Sequence, residues 1–178
     1  RRAGKATFET LDDAAAAVSQ VVRAGIDVAT LELVDPLTAR IVSAYVDTDV
    51  APDPSVFVEI HAGSKMSADA EAQRCVTALE DAGGRVELAN DPDEMERIWA
   101  ARRQAADAIK AWDESRTPLT VGDVTVPIGS FPEMVRSIQS IGADHGFDVP
   151  AFGHAGDGNV HYAVLVDPDD PDEVARGE

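Results

Sequence analysis

The chain switches repeatedly between two hydrophobic periods, and this switching constrains its fold more than any single motif does. Alternation with a period of two marks a half-buried strand, and recurrence at three and four residues marks an amphipathic helix. Residues 6–9 read as a short strand, 11–24 as a helix and 28–34 as a strand again. Thr10 stands where an N-cap belongs, with Asp13 three residues on, and Gly25 ends the helix. Asp35 caps a second helix that Pro36 opens. Pro52 and Pro54 mark a loop before a strand at 55–61, with Val56, Val58 and Ile60 on one face. Ser67 caps a third helix to Ala82, Gly83 and Gly84 stop it, and 85–89 return as strand. The second half opens with one long helix over 92–112, followed by a strand at 121–126, a helix at 132–145 and a hairpin. Units in this order predict an α+β fold, a ferredoxin-like α/β sandwich with an antiparallel sheet and helices on one face. Residues 1–90 form a first half and 91–178 a second half cut short. An edge strand left unpaired there would favour a homodimer.

A chain of 178 residues can bury the core of one domain. Its formal net charge of −18, with lysine only at positions 5, 65 and 110, argues against nucleic acid or an anionic membrane as partner. The acidic surface resembles that of a protein from a high-salt cytoplasm, where counterions screen self-repulsion, with a mildly acidic mesophile surface as the alternative. No apolar run reaches the ~20 residues of a membrane span. Cys75 is the single cysteine, which excludes an internal disulfide and fits a reducing, cytoplasmic setting. It lies among Val76 and Leu79 in a helical stretch, so a buried, inert thiol is expected. The acidic run over 167–173 reads as a solvated loop, since its spacing does not fit an EF-hand.

Residues 152–162, Phe-Gly-His-Ala-Gly-Asp-Gly-Asn-Val-His-Tyr, carry most of the functional signal. If residues 156–159 turn a hairpin, His154 and His161 lie equally far from its tip and face one another. Opposed residues on antiparallel strands have Cβ atoms about 4.5–5.5 Å apart. Two imidazoles at that spacing can share a divalent ion such as zinc. A hairpin turn with two ordinary polar histidines is the alternative, because two ligands do not complete a zinc site.

The string Gly-His-Ala-Gly-Asp-Gly-Asn-Val-His resembles the signature of the C-terminal, substrate-side domain of FAD-linked 2-hydroxy acid dehydrogenases. That family includes the cytochrome-type D-lactate dehydrogenases, the glycolate oxidase D subunit and the D-2-hydroxyglutarate dehydrogenases. Further segments are similar to it in order: Glu32-Leu-Val-Asp35, Val56-Phe-Val-Glu-Ile-His61, Trp99-Ala-Ala-Arg102 and Asp123-Val-Thr-Val-Pro127. The resemblance implies an antiparallel sheet covered by helices. It implies an enzyme that oxidises a small D-2-hydroxy acid and passes hydride to FAD. The FAD is held mainly by an N-terminal domain that would precede residue 1. The electron acceptor would be a cytochrome, a quinone or an electron-transfer protein, which places the enzyme in the cytoplasm or at a membrane periphery. A later Gly-Glu-His-Gly motif, expected to supply a base and a third metal ligand, does not occur in residues 1–178, so this chain alone is expected to be inactive.

On this resemblance His154 and His161 are the catalytic and metal-binding pair, Arg102 holds the substrate carboxylate, and Asn159 contacts the cofactor. Guanidinium suits that task because its fork binds a carboxylate bidentately. Arg103 is the neighbour to distinguish from it. Relatives with dicarboxylate substrates carry threonine and lysine where this chain has Ala106 and Val121, which favours a smaller acid such as lactate. Asp123 either orients a ligand or ends a strand. His61 reads as structural, and His145 as a helix-end residue. Two other functions fit the residues: a metal-dependent hydrolase on the same histidines, which needs a third ligand, and a noncatalytic binding or dimerisation module. Asp157 is the only carboxylate near the histidines in sequence, and the turn points it away.

Overall fold

The computed structural model describes residues 1–46 and 52–178. Seven strands form one antiparallel sheet in the order β4-β1-β3-β2-β6-β7-β5. The strands are β1 (Arg2–Thr7), β2 (Thr30–Val34), β3 (Ser55–Ile60), β4 (Arg85–Leu88), β5 (Thr117–Thr125), β6 (Ala151–His154) and β7 (Asn159–Val166). The helices are α1 (Leu11–Arg23), α2 (Pro36–Val46), α3 (Lys65–Asp81), α4 (Pro92–Arg103), α5 (Ala105–Lys110), α6 (Phe131–His145) and α7 (Pro171–Gly177). The first four strands and the last three meet where β6 pairs with β2, so the two halves of the chain share one sheet.

Helices cover both faces of the sheet, not one as the pattern of Val56, Val58 and Ile60 suggests. Those three residues pack with Leu31 and Leu33 under α1, α3 and α6. Phe57 and Val34 point the other way and pack with Met95, Ile98 and Trp99 of α4. Farther along the same face, Ala163 and Leu165 of β7 meet Ile41, Ala105 and Ile109 of α2 and α5. Strands buried on both faces lose the clean alternation that a one-sided sheet would show.

Local chemistry sets most element boundaries. Thr10 accepts a hydrogen bond from the Asp13 amide at 3.1 Å and caps α1. The third helix starts earlier than its sequence suggests, because Ser64, not Ser67, is the cap. The region 92–112 holds two helices, broken at Gln104; nothing in the local sequence explains the break. The acidic run after residue 166 is not all loop. Asp170 accepts from the Asp172 and Glu173 amides, Pro171 occupies the first turn, and α7 follows. Two acidic residues in that first turn suit the helix dipole.

Asp35 joins three parts of the fold. Its Oδ1 accepts from the Thr38 amide at 2.7 Å, starting α2. Its own amide donates to the Ala151 carbonyl at 3.0 Å, continuing the β2–β6 pairing. Its Oδ2 accepts from Gln139 of α6 at 2.5 Å. Burial raises its pKa to about 6, against the opposing pull of the Thr38, Ala151 and Gln139 hydrogen bonds. Cys75 is buried, as its surroundings suggest, and desolvation lifts its thiol to about 11. Among the described residues no helix is long and apolar enough to cross a membrane.

Candidate functional site

The hairpin forms, with its turn one residue earlier than the symmetric one and the pairing shifted by two. Ala155–Gly158 make the turn, so His154 faces Asn159 and His161 faces Phe152. The turn is fixed from the backbone outward. The amides of Asp157 and Gly158 both donate to the His154 carbonyl, at 3.1 and 3.0 Å. Asp157 Oδ1 accepts from the Asn159 amide at 3.1 Å, and Gly158 adopts φ +82°. A side chain at Gly158 would meet the Val126 carbonyl oxygen as well as a strained backbone. The side-chain period of a strand is two, so residues 152, 154, 159 and 161 still share one face. The imidazoles meet edge to face, with centroids 5.1 Å apart.

The antiparallel pairings place the surrounding side chains in rows across that face. Leu33 pairs with Gly153 and Glu32 with Phe57, which puts Glu32 beside His154. Asp123 pairs with His161, and Thr125 with Asn159. Each histidine therefore has a carboxylate on the neighbouring strand. Glu32 Oε1 lies 2.5 Å from His154 Nδ1, and Asp123 Oδ1 lies 3.5 Å from His161 Nδ1. The two pairs differ in surroundings: the Glu32 side chain is 4% exposed and that of Asp123 is 64% exposed.

Arg102 reaches the same face from α4. Trp99 anchors that helix against Phe57, with ring centroids 6.1 Å apart, and Arg102 follows three residues later on the same side. Its Nη2 and Nε donate to Glu32 Oε2 at 2.7 and 3.2 Å. Its guanidinium carbon sits 4.7 Å from the centre of the Phe152 ring, within cation–π range. Phe152 in turn stands 5.4 Å from His161. Arg103 points elsewhere and pairs with exposed Glu96.

The sequence-predicted residues His154, His161, Asn159 and Arg102 thus converge, together with Asp123. His61 and His145 do not join them. His61 is exposed and pairs with Glu59, and His145 ends α6. Glu32 is the residue that sequence reasoning missed. Its signal was a charged side chain between Leu31 and Leu33 in an apolar strand, since a buried carboxylate needs a partner. Asn159 Oδ1 is buried without a hydrogen-bond partner beside His154, an acceptor open to a donor from a ligand. A surface cleft of about 450 Å³ opens beside Glu32 and His154, bordered by Thr30, Gly156 and Asp157. Among the described residues no group of three His, Cys, Asp or Glu gathers as a metal site. Among the described residues a hydrolase on these histidines therefore lacks a third ligand, because both Glu32 oxygens serve Arg102 and His154.

The antiparallel sheet with its helices agrees with the comparisons to known proteins. Across residues 1–178 the chain matches the family of FAD linked oxidases, C-terminal domain, and it belongs to that family. It is 27% identical over 170 residues to the probable mitochondrial D-lactate dehydrogenase of Danio rerio, covering 96% of this chain and 34% of that protein. It is 30% identical over 177 residues to the glycolate oxidase subunit GlcD of Bacillus subtilis (strain 168), covering 97% of this chain and 37% of that protein. The chain thus spans about a third of the length of these relatives. Among solved structures, p-cresol methylhydroxylase with substrate bound shares the fold, with a TM-score of 0.69 at 13% identity over 98% of this chain and 40% of that one.

Proposed function

We propose that this chain is the substrate-side domain of an FAD-dependent dehydrogenase that oxidises a small D-2-hydroxy acid, such as D-lactate or glycolate, to the 2-oxo acid. The observation that carries this reading is the convergence of Arg102, His154 and His161 around Phe152 on one sheet face. The names of the D-lactate dehydrogenase and glycolate oxidase relatives support the substrate class.

Arg102 binds the substrate carboxylate. Glu32 takes its Nε–Nη2 edge, so the Nη1 end remains for that contact. His154 and His161 flank the hydroxyl-bearing carbon. Both turn Nδ1 toward a carboxylate, which leaves Nε2 of each as the nitrogen able to hold a divalent metal. Such donors fit zinc, with two positions left for groups from elsewhere. A metal held there would supply Lewis acidity toward the substrate hydroxyl. FAD supplies the hydride acceptor, and Asn159 Oδ1 is the group of this chain suited to contact it. Val121 sits two residues from Asp123 on the site face of β5, where it presents no charge to a second substrate carboxylate. Ala106, on the helix after Arg102, likewise offers a second carboxylate neither charge nor hydroxyl. Both residues favour a monocarboxylate. The electron acceptor is a cytochrome, a quinone or an electron-transfer protein.

The test is anaerobic flavin bleaching in the flavoenzyme that carries this domain. D-lactate or glycolate should bleach the flavin, with L-lactate and D-2-hydroxyglutarate much slower. Equal rates for all four, or none, would defeat the reading.

A further inference from the structure

One carboxylate, Glu32, touches both functional ends of the face. Its Oε2 takes the Nε–Nη2 edge of Arg102, and its Oε1 lies 2.5 Å from His154 Nδ1. The side chain is 4% exposed, so no water competes freely for either oxygen. A carboxylate offers only acceptors. Neutral imidazole carries one N–H, and the atom facing an acceptor-only partner must be the donor. Nδ1 therefore holds the proton, and the Nε2 lone pair is the one presented to the site. We propose that Glu32 is a positioning residue that sets the tautomer of His154 and the free edge of Arg102 together. The inference rests on the metal-binding role proposed for His154, and it makes that role depend on a residue of a different strand.

A single-atom change separates this role from mere packing. Glu32→Gln keeps the shape and leaves one acceptor oxygen where two donors compete. The guanidinium, being charged, takes that oxygen because charge-assisted hydrogen bonds are the stronger ones. The amide NH₂ must then face His154 Nδ1, which becomes the acceptor. His154 switches to the Nε2–H tautomer, and the nitrogen needed for metal is blocked.

The experiment is ¹⁵N NMR of the histidine ring nitrogens in the metal-free chain at about pH 9, well above the ordinary histidine pKa. Zinc titration of the same samples follows. The wild type should show Nδ1–H and Glu32→Gln should show Nε2–H at His154, with zinc affinity lower by about 10- to 100-fold. If Glu32→Gln does not fold, the apolar pair Glu32→Leu with Arg102→Met takes its place. It leaves no buried cation and no acceptor at Nδ1, and the same switch is expected. The same tautomer in wild type and the folded variant would overturn the proposal. If the wild type binds no zinc with only two ligands of its own, the tautomer comparison by itself decides the role of Glu32.

Discussion

Arg102→Met tests whether the Glu32–Arg102 pair is as buried as its geometry indicates. The substitution keeps most of the aliphatic stem and removes the charged guanidinium that lies over Phe152. Glu32, 4% exposed, would then keep only His154 as a partner. Removing one member of a buried pair typically costs about 3–5 kcal/mol, because the other charge stays uncompensated. Arg102 is itself 12% exposed and His154 can still donate, so the lower end, about 3 kcal/mol, is expected here. Replacing both partners, Glu32→Leu with Arg102→Met, removes the stranded charge and should return stability to within about 1 kcal/mol of wild type. Urea unfolding of the full chain reads both, provided the slope is unchanged so that midpoints report stability alone. A loss under about 1 kcal/mol in the single variant would match an exposed ion pair and refute the reasoning.

Asp35→Asn should change how stability depends on pH. The folded pKa of about 6 lies above the ordinary 3.8, so the folded state holds this proton more tightly. Stability from this group is present at low pH, falls as pH rises from about 4 to about 6, and stays lost above that. The variant's stability relative to wild type should thus be more favourable at pH 7 than at pH 4, by up to about 3 kcal/mol; a pH-independent difference would contradict the burial. Gly158→Ala should cost at least about 1 kcal/mol from the positive φ alone, with more from the contact at Val126, measured by thermal unfolding. Cys75 should react with a thiol reagent only as fast as the chain opens, since its thiol is buried and raised to about 11. Zinc titration should give one site per chain, lost in the His154→Ala, His161→Ala double variant and retained in His61→Ala.

The sequence was most informative where a side chain acts on its own neighbours. Thr10 caps α1 as its position indicates, the helices expected from 92 and 132 start at Pro92 and Phe131, and Gly146 ends α6 with φ +79°. The histidine face was legible because strand periodicity puts residues 152, 154, 159 and 161 on one side for either of two registers. What was hidden lies across the sheet. The carboxylate beside His154 comes from a residue 122 positions away in sequence, and only the β2–β6 pairing brings it there. Likewise Phe57 lies on the face opposite Val56 and Val58, and a second helical layer gives it a place. Short-range rules cannot see a partner supplied by another strand, and a two-sided sheet blurs the alternation they depend on.

Participation of the histidine face in the chemistry is the central question. The direct measurement is the single-turnover rate of flavin reduction by D-lactate in the FAD-loaded enzyme, compared with its His154→Ala, His161→Ala variant and with His145→Ala on the opposite face. A loss of at least about 100-fold is expected for the double variant, the range seen on removing metal or general acid–base groups, and wild-type rates for His145→Ala. Wild-type flavin reduction in the double variant would show that the two histidines only finish a hairpin.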